Sequence, residues 1–553
     1  MIELSVIIPT HNRADRLRVC LEALRHQTQP ATDFEVIVVD DGSTDGTAEI
    51  LAEIETPFAL RVIRQAKSGQ CAALNRGIAA SGRYCLILDD DIIPGPALVA
   101  EHFRAQRDSG GVVAIGQLTV RAPASADWYA RRYAQRWSDH YHHLNQGTRA
   151  PTWQDCYSGN LSALRQALLE VGGFAADLPA GFDVELGYRL QRSGIPIVYL
   201  PAACGEHRDD KTGRRLLSED ERAGRMLLEL IRRHPDLLPE LLGGFWDTSP
   251  RAILLRRLLL TLSVAPRLLT RLGPFLRSER WNREWFRFVS AYASWYGVRQ
   301  AAPDRDTWRR MTQRTPILMY HAFGRSGEPS SRFILPARRF AWQMAWLKRL
   351  RYRVLSLEEF LCYRREFRLL PARSVVITID DGYADNYSVA YPILRRYGFP
   401  ATIFLVSDNV GDANRWDKQG LLAGRPLMSW AEIRDMLHSD VAFGAHTRTH
   451  PRLTNISPDR ARDEIEGSRA ELERELGVPV RFFSYPFGAY DATVSSIAEQ
   501  VGFEGACSTR IGLNTLASPN FELRRSEVRG TDSIARFVLG LWLGDDHLPP
   551  RRK

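Results

Sequence analysis

Two histidines spaced four residues apart and a pair of adjacent aspartates are the groups in this 553-residue sequence that most clearly suggest chemistry. The stretch "HTRTH" supplies His446 and His450, and "ITIDDGY" supplies Asp380 and Asp381. Two imidazoles and one carboxylate can bind Zn²⁺ or a similar divalent metal and leave positions open for water and substrate. Adjacent side chains of an extended chain point to opposite sides, so we assign Asp381 to the metal and Asp380 to general base catalysis.

A second acidic cluster lies in the N-terminal part of the sequence. Asp89, Asp90 and Asp91 follow the apolar run "YCLIL", and Asp40 and Asp41 end "FEVIVVDD" before the turn "GSTDGT". Ligands of open α/β sheets bind at the carboxyl ends of the strands, where carboxylates can hold a hard divalent cation against phosphate oxygens. A triple Asp taken alone is better explained by helix capping or by a solvated turn.

Hydrophobic periodicity indicates the elements that position these residues. Strand-like runs alternate with helix-period segments from residue 4 to about 205 and again from "TPILMYH" to about residue 530, and the helical pattern alone continues between about 210 and 310. This alternation predicts two α/β domains with mostly parallel sheets, joined by a helical connector. The last residues, "GDDHLPPRRK", read as a polar tail.

Composition excludes several classes of protein. Seven cysteines, odd in number and never spaced as CxxC, argue against a disulfide framework and a thiolate zinc site. The N-terminus lacks the pattern of a secretion signal, and no stretch reaches the roughly 18 to 20 apolar residues that span a bilayer. We therefore expect a cytoplasmic protein.

The net charge of +9 is unevenly distributed, since residues 251–299 carry ten arginines and two glutamates. Leu-rich and Trp-rich runs accompany these arginines, a combination that suits peripheral contact with the inner face of an anionic membrane. A solvated helix face packed on the neighbouring domain is the alternative. Because no binding motif for nucleic acid accompanies the charge, we expect no nucleic acid partner.

Over roughly residues 1–210 the sequence resembles the family-2 glycosyltransferases of GT-A fold, with a Rossmann-like mixed sheet. The matching stretches are "SVIIPTHNR", "VVDDGSTDGT", "NRGIAASG", "LDDDIIP", "SGNLSALR" and "GGF...DVELGYRL". The resemblance implies inverting transfer from a nucleotide diphosphosugar, with Asp183 as the base that deprotonates the acceptor. It also implies Mg²⁺ or Mn²⁺ held by Asp89, Asp91 and His207, and a nucleotide-sugar site formed by Thr10, Asn12, Asp40, Asp41, Lys67, Asn75, Asp89 and Asp90.

Some positions depart from that family pattern. Phe182 replaces the Glu that commonly precedes the catalytic Asp, and Leu74 replaces an Arg, with Arg76 two places on. The sequence also lacks the QxxRW motif and the membrane helices of processive synthases. We therefore expect one sugar to be added per encounter.

Over roughly residues 314–530 the sequence resembles the NodB-like polysaccharide deacetylases, carbohydrate esterase family 4, through "TIDDG", "HTRTH" and "FFSYPFG". The resemblance implies a distorted β/α barrel that hydrolyses the N-acetyl group of a hexosamine with Zn²⁺ or a similar metal. It also implies that the backbone around Tyr485 and Pro486 contacts the substrate. The family's late Leu-x-His motif falls on "LRRSEV", which has no histidine, and after His450 the sequence has only His547. In this family the histidine of that motif supplies the general acid for the leaving amine. His321, in "LMYH", is our candidate to replace it. Alternatively, His321 is a buried structural histidine.

These resemblances predict a glycosyltransferase domain at 1–210, a basic helical connector at 211–313 and a deacetylase-like domain at 314–545. The predicted function is transfer of a sugar, GlcNAc from UDP-GlcNAc, to a glycan, a glycolipid or a small-molecule acceptor, together with N-deacetylation. One alternative is an active transferase whose second domain is a degenerate, glycan-binding module. Another is that the two activities serve unrelated substrates.

Overall fold

A computed structural model describes residues 3–178, 180–208, 210–246, 249–324, 327–328 and 330–543. The tail expected from residue 544 onwards, including His547 and the last two residues of the predicted 314–545 domain, lies outside the described residues. The described chain divides into two compact units. Met1–Leu230 and Leu255–Ala301 form the N-terminal unit, and Ile231–Leu254 and Ala302–Lys553 form the C-terminal unit.

The N-terminal unit contains a mixed sheet of eight described strands in the order β3-β2-β1-β4-β7-β6-β8-β5. The strands are Leu4–Thr10 (β1), Phe34–Asp40 (β2), Ala59–Arg64 (β3), Tyr84–Leu88 (β4), Ile92–Pro94 (β5), Val113–Val120 (β6), Asn160–Leu164 (β7) and Ile197–His207 (β8). β1 to β4 pair in parallel, whereas β7 runs antiparallel to β4 and β6. The predicted Rossmann-like mixed sheet is thereby confirmed.

Helices cover both faces of this sheet: Ala14–Leu24 (α1), Thr47–Glu53 (α2), Gln70–Ala80 (α3), Leu98–Ser109 (α4), Trp128–Asn145 (α5), Arg165–Glu170 (α6) and Phe182–Arg192 (α7). Consecutive residues of β1 belong to different cores, because Val6 and Ile8 pack with Leu17 of α1, and Ile7 packs with Leu74 of α3. The strand therefore reads as a continuous apolar run, as expected for a sheet buried on both sides.

The segment between the two sheets is helical: Gly213–Arg233 (α8), Leu238–Gly243 (α9), Pro250–Thr261 (α10), Pro266–Thr270 (α11), Glu279–Ala301 (α12) and Arg305–Met311 (α13). α8 and α12 approach closely through glycines, since a Cβ on Gly297 would lie 2.0 Å from the carbonyl oxygen of Glu221. Among the described helices, none combines the length and the apolar character needed to cross a bilayer.

The C-terminal unit contains a closed barrel of seven described parallel strands, because its first strand, β9, pairs with both β13 and β18. The strands of this unit are Ile317–Tyr320 (β9), Ala322–Gly324 (β10), Ile334–Pro336 (β11), Arg353–Leu355 (β12), Ser374–Ile379 (β13), Ala401–Leu405 (β14), Val441–Ala445 (β15), Phe482–Ser484 (β16), Gly505–Ile511 (β17) and Leu523–Glu527 (β18). β12 extends the sheet beyond β13, and β10 pairs with β11. The predicted distorted β/α barrel is confirmed, and its carboxyl strand ends share one rim.

The helices of this unit are Ala337–Arg349 (α14), Leu357–Arg365 (α15), Tyr391–Tyr397 (α16), Trp430–Met436 (α17), Pro458–Leu476 (α18), Ala492–Gln500 (α19) and Ile534–Leu543 (α20). Phe340 and Met344 of α14 pack against Ile377 and Ile379 of β13 in one core cluster. Helices packed on the outside leave the strand-end loops of the barrel free to form a site.

Candidate functional sites

The barrel rim gathers a set of metal-ligand side chains. Asp381 follows β13, and His446 and His450 lie in the loop after β15. These residues are the only three potential ligands in the described chain whose ligand atoms all lie within 4.8 Å of one another. Nε2 of His446 lies 3.4 Å from Oδ1 of Asp381, and Nε2 of His450 lies 3.5 Å from the same oxygen. One buried carboxylate and two imidazoles fit a divalent transition metal.

The surroundings of His446 fix which ring nitrogen faces the cluster. Nδ1 of His446 lies 2.7 Å from the carbonyl oxygen of Ser484, which can only accept, so Nδ1–H is the donor. Nε2 of His446 is therefore the ring nitrogen that faces Asp381. Hydrogen bonding of the second ring nitrogen is the usual means of orienting a metal-binding histidine.

The charges of Asp381 and His450 suit metal ligands. Burial raises the pKa of Asp381, but the hydrogen bond with His446 and the charges of the neighbouring histidines outweigh it and hold that pKa well below its usual value. Burial and the proximity of His446 lower the pKa of His450 to about 3. An ionised carboxylate and a neutral imidazole are the protonation states that bind a metal.

The backbone of this loop cluster is strained. Asp381, Thr447, His450 and Phe487 have φ values of 75°, 66°, 64° and 55°. This left-handed region is uncommon for residues with a side chain, and such residues concentrate at functional sites. The surrounding barrel holds the ligands in conformations that the free chain would seldom adopt.

Asp380, the candidate base, is held by an arginine that the sequence did not reveal. Arg525 of β18 is 0 % exposed and donates from Nη1 to Oδ1 and from Nη2 to Oδ2 of Asp380, both at 2.7 Å. Burial raises the pKa of Asp380, but the charge of Arg525 outweighs it, and the net shift is downward. Arg525 occupies the position in "LRR" at which the family's Leu-x-His motif has its histidine. That motif was therefore the signal in the sequence that could have pointed to Arg525.

The other predicted residues of this site lie close by. His321 follows β9, and its charge helps to lower the pKa of both Asp380 and Asp381. Tyr485 uses its own polar groups elsewhere, since its N–H donates to the carbonyl of Cys507 and its hydroxyl to that of Phe521, both at 3.1 Å. The next residue, Pro486, has no N–H. The next backbone donor in this loop therefore belongs to Phe487.

The acidic strand ends of the N-terminal unit are tied together by hydrogen bonds. Thr10 donates from its hydroxyl to Oδ2 of Asp90 at 2.8 Å, and Nη1 of Arg13 contacts Asp90 at 2.8 Å and Asp91 at 2.9 Å. Nε2 of His207 lies 3.4 Å from Oδ1 of Asp91. Burial raises the pKa of Asp91, but His207 and Arg13 outweigh it and lower that pKa to about 2.

Asp89 has different surroundings from Asp91. Burial and the charges of Asp91 and Asp90 raise the pKa of Asp89 to about 7. The charge of Asp183 also contributes to this rise, so the candidate base and the acidic strand end lie near each other. Such mutual repulsion is relieved when a cation binds.

Asp183 lies at the start of α7, as predicted. Its Oδ1 accepts from the N–H of Val184 at 2.8 Å and its Oδ2 from the N–H of Ser158 at 3.4 Å. Burial nevertheless raises the pKa of Asp183. A carboxylate with a raised pKa is better matched to taking a proton near neutral pH.

Asp40 and Asp41 shape the loops at the carboxyl ends of β2 and β3. Oδ1 of Asp40 accepts from the N–H of Ser43 at 2.8 Å, and Asp41 accepts from the N–H groups of Ser68 and Gly69 at 2.7 and 2.8 Å. Oδ1 of Asn12 accepts from the N–H of Thr44 at 2.7 Å. These side chains therefore hold the strand-end loops in place.

Lys67 and Asn75 lie in different environments. Lys67 is exposed, on the loop that Asp41 holds. Nδ2 of Asn75 donates to the carbonyl of Phe174 at 2.8 Å, and its Oδ1 accepts from the N–H of Phe174 at 2.7 Å. The amide of Asn75 is thus committed to the loop before α7, and Lys67 faces solvent.

Comparison with known proteins assigns both halves. Residues 5–172 match the family model for glycosyl transferase family 2, and residues 369–506 match that for polysaccharide deacetylase. The chain carries a family 2 glycosyltransferase domain followed by a polysaccharide deacetylase domain. The two resemblances seen in the sequence are thereby confirmed.

The glycosyltransferase domain is similar to validoxylamine A glucosyltransferase of Streptomyces hygroscopicus subsp. jinggangensis, 29% identical over 283 residues that cover 45% of this chain and 64% of the relative. The deacetylase domain is similar to the putative polysaccharide deacetylase YxkH of Bacillus subtilis, 27% identical over 248 residues, 44% of this chain and 82% of the relative. It is also similar to poly-beta-1,6-N-acetyl-D-glucosamine N-deacetylase of Staphylococcus aureus, 30% identical over 156 residues, 28% of this chain and 50% of the relative. The chain thus spans less than two thirds of the length of the glucosyltransferase and of the S. aureus deacetylase.

Proposed function

We propose that the protein is a bifunctional enzyme that transfers GlcNAc from UDP-GlcNAc to a saccharide, lipid-linked or small-molecule acceptor and hydrolyses an N-acetyl group of that sugar or of a neighbouring one. The observation that carries the proposal is the cluster of Asp381, His446 and His450 beside the arginine-held Asp380. A chain with a family 2 glycosyltransferase domain at its other end supports consecutive steps on one sugar. Nucleotide sugars are cytosolic, so both sites would work in the cytoplasm, and a lipid-linked acceptor would bring the enzyme to the membrane surface.

In the deacetylation step, Asp381, His446 and His450 would hold Zn²⁺ or a similar metal, which supplies polarisation of the acetyl carbonyl and a lowered pKa for a bound water. Asp380, kept ionised by Arg525, accepts the proton of the attacking water at its carboxylate. The N–H of Phe487 donates to the oxygen on which negative charge develops. His321 donates a proton to the departing amine nitrogen.

In the transfer step, Asp183 accepts the proton of the acceptor hydroxyl as that oxygen attacks the anomeric carbon. A single displacement of this kind inverts the configuration at that carbon. Asp89, Asp91 and His207 would hold Mg²⁺ or Mn²⁺, which neutralises charge on the departing diphosphate. Thr10, Asp40 and Asp41 line the strand ends where the nucleoside would bind.

Single-residue variants assign the two steps. The protein is incubated with UDP-GlcNAc and a membrane or metabolite extract, and sugar addition and acetyl loss are followed by mass spectrometry. We expect Asp183→Asn to abolish sugar addition, and Asp380→Asn to abolish acetyl loss while sugar addition continues. Asp108→Asn, an exposed carboxylate on α4, is the control that should leave both steps unchanged. Acetyl loss by Asp380→Asn at the wild-type rate would contradict the base assignment.

Metal analysis separates the enzyme from a degenerate, glycan-binding module. The three-ligand cluster favours the enzyme, because a binding module needs no metal with open positions. We expect purified wild-type protein to contain one zinc-class ion that Asp381→Ala and His450→Ala lose. His438→Ala, which changes a histidine just beyond α17, is the control and should retain it. Equal metal content in wild type and Asp381→Ala would support the binding module.

A further inference from the structure

Exposed apolar side chains are concentrated in one segment of the N-terminal unit, residues 255–281. Phe275 is 80 % exposed and Trp281 is 67 % exposed, and exposed leucines accompany them at Leu255, Leu258, Leu262, Leu268 and Leu272. Exposed leucines scattered singly are ordinary, but a run of large apolar groups marks an interaction surface. We call these seven residues the apolar band.

The spacing of the apolar band places its members on defined helix faces. Leu255, Leu258 and Leu262 are three and four residues apart, which aligns them along one side of α10 and its end. Leu268 of α11 and Leu272, two residues beyond the end of that helix, are also four residues apart. Five of the seven residues of the band therefore recur at helical spacing.

The segment that bears the band is firmly attached to its own unit. Nδ2 of Asn282 donates to the carbonyls of Gly273 and Leu276, both at 3.1 Å. Oδ1 of Asn282 accepts from Nε1 of Trp128 at 2.8 Å. Nε1 of Trp285 donates to the carbonyl of Leu269 at 3.0 Å. These contacts hold the backbone of residues 269–285, the part of the segment that carries Leu272, Phe275 and Trp281.

Positive charge surrounds the band. Residues 255–287 contain eight arginines and two glutamates and no lysine or aspartate. Both glutamates already pair with arginines, Glu279 with Arg132 and Glu284 with Arg287 at 3.2 Å. Exposed arginines next to the band are Arg267, Arg271, Arg277, Arg280 and Arg283. An apolar face rimmed by arginine complements an anionic lipid surface.

We propose that the apolar band docks on an anionic membrane surface, with its leucines, Phe275 and Trp281 entering the headgroup boundary and the flanking arginines contacting lipid phosphates. Aromatic residues at the boundary and arginines just outside it match the layers of a bilayer interface. The proposed interaction is peripheral and involves only the exposed side chains of this segment. The proposed membrane contact involves exposed residues of the N-terminal unit and does not depend on either proposed catalytic step.

Flotation with lipid vesicles tests the proposal on the full chain. We expect wild-type protein to float with phosphatidylcholine vesicles that contain phosphatidylglycerol and to remain unbound with phosphatidylcholine alone. The double variant Phe275→Ser, Trp281→Ser should lose at least about ten-fold in partition coefficient, because it removes the two largest inserted groups. Arg271→Gln and Arg277→Gln should each cost about five-fold, and added salt should weaken binding.

The matched control is the double variant Val62→Ser, Leu169→Ser, which removes two exposed apolar side chains of the same unit outside the band. It should bind vesicles as the wild type does. Wild-type protein that does not float, or equal flotation of the wild type and the Phe275→Ser, Trp281→Ser variant, would overturn the proposal. Light scattering adds a further decisive result: a dimer that this variant abolishes, without lipid binding, would show that a second copy covers the band.

Discussion

Arg525 controls the charge of Asp380 and therefore its capacity to act as a base. Arg525→Met would leave a buried carboxylate without its partner, which we expect to cost about 3 to 5 kcal/mol in the free energy of unfolding. Arg525→Lys keeps the charge but loses the two-pronged hydrogen bond. The charge of Arg525 helps to hold the pKa of Asp380 low, so its loss should move the acid limb of the pH–rate profile for acetyl release to higher pH.

Chemical denaturation and pH profiles of both variants check this expectation. Arg368→Met, at an exposed arginine of the same unit, is the control and should change neither measurement. An acid limb in Arg525→Met at the wild-type pH would mean that the arginine serves stability alone.

The grouping of Asp381, His446 and His450 was predictable from the sequence because these residues come from two short motifs. His446 and His450 lie in one loop, and Asp381 adjoins a recognisable strand end. Arg525 could not be found in this way, because its contact with Asp380 depends on how β18 and β13 are placed around the barrel. Tyr485 is the opposite case, because its motif is present in the sequence but does not reveal how its N–H is used. That N–H already donates to the backbone carbonyl of Cys507.

At the scale of elements, His102 joins α4 to the sheet. Its Nδ1 lies 2.8 Å from Oγ of Ser162, and its Nε2 lies 2.8 Å from Oδ1 of Asn160. Nδ2 of Asn160 donates to the carbonyl of Ala203, so Oδ1 is the acceptor and Nε2–H the donor. Burial lowers the pKa of His102 to about 4.

The contribution of His102 to the stability of the N-terminal unit should therefore fall in mild acid. The unfolded state binds a proton at His102 near its ordinary pKa of about 6.5, and the folded state does so near 4, so this contribution is complete above the former and decreases as the pH drops between them. We expect the His102 contribution to fall by about 2 kcal/mol between roughly pH 7.5 and pH 5, seen as the difference in pH slope between wild type and His102→Gln. Urea unfolding of wild type and His102→Gln across this range checks it. His26→Gln, an exposed histidine, is the control, and a wild-type pH slope in His102→Gln would contradict the assignment.

Most elements could be predicted because their apolar periodicity is strong. The runs "LSVIIP", "FEVIVVDD" and "SVVITIDDG" are strands β1, β2 and β13, and "QCAALNRGIAAS" is α3. β18 was missed because "LRRSE" contains two arginines and a glutamate, which are typical of exposed segments. Arg525 is buried there only because Asp380 and the carbonyl of Ser508 satisfy its guanidinium.

At the scale of the whole molecule, each unit should respond to its own ligand. A ligand that binds only the folded form stabilises it by about 2.7 kcal/mol at a hundredfold excess over Kd. Under the proposed function, UDP with Mn²⁺ should raise the melting temperature of one calorimetric transition, and zinc should raise that of another. Asp381→Ala should abolish the response to zinc and preserve the response to UDP. One transition that shifts with both ligands would mean that the two units unfold together.

The closure of the barrel also sets an order of events during synthesis. β9 pairs with β18, which ends at Glu527, so the ring of strands cannot be completed until the ribosome has passed that residue. The N-terminal unit is complete at Ala301, before β9 begins at Ile317. Because domains fold as units from the N-terminus, we expect the glycosyltransferase domain to be folded while the deacetylase domain is still being translated. A chain arrested inside β18 would carry a folded N-terminal unit and an open sheet whose unpaired edges invite aggregation.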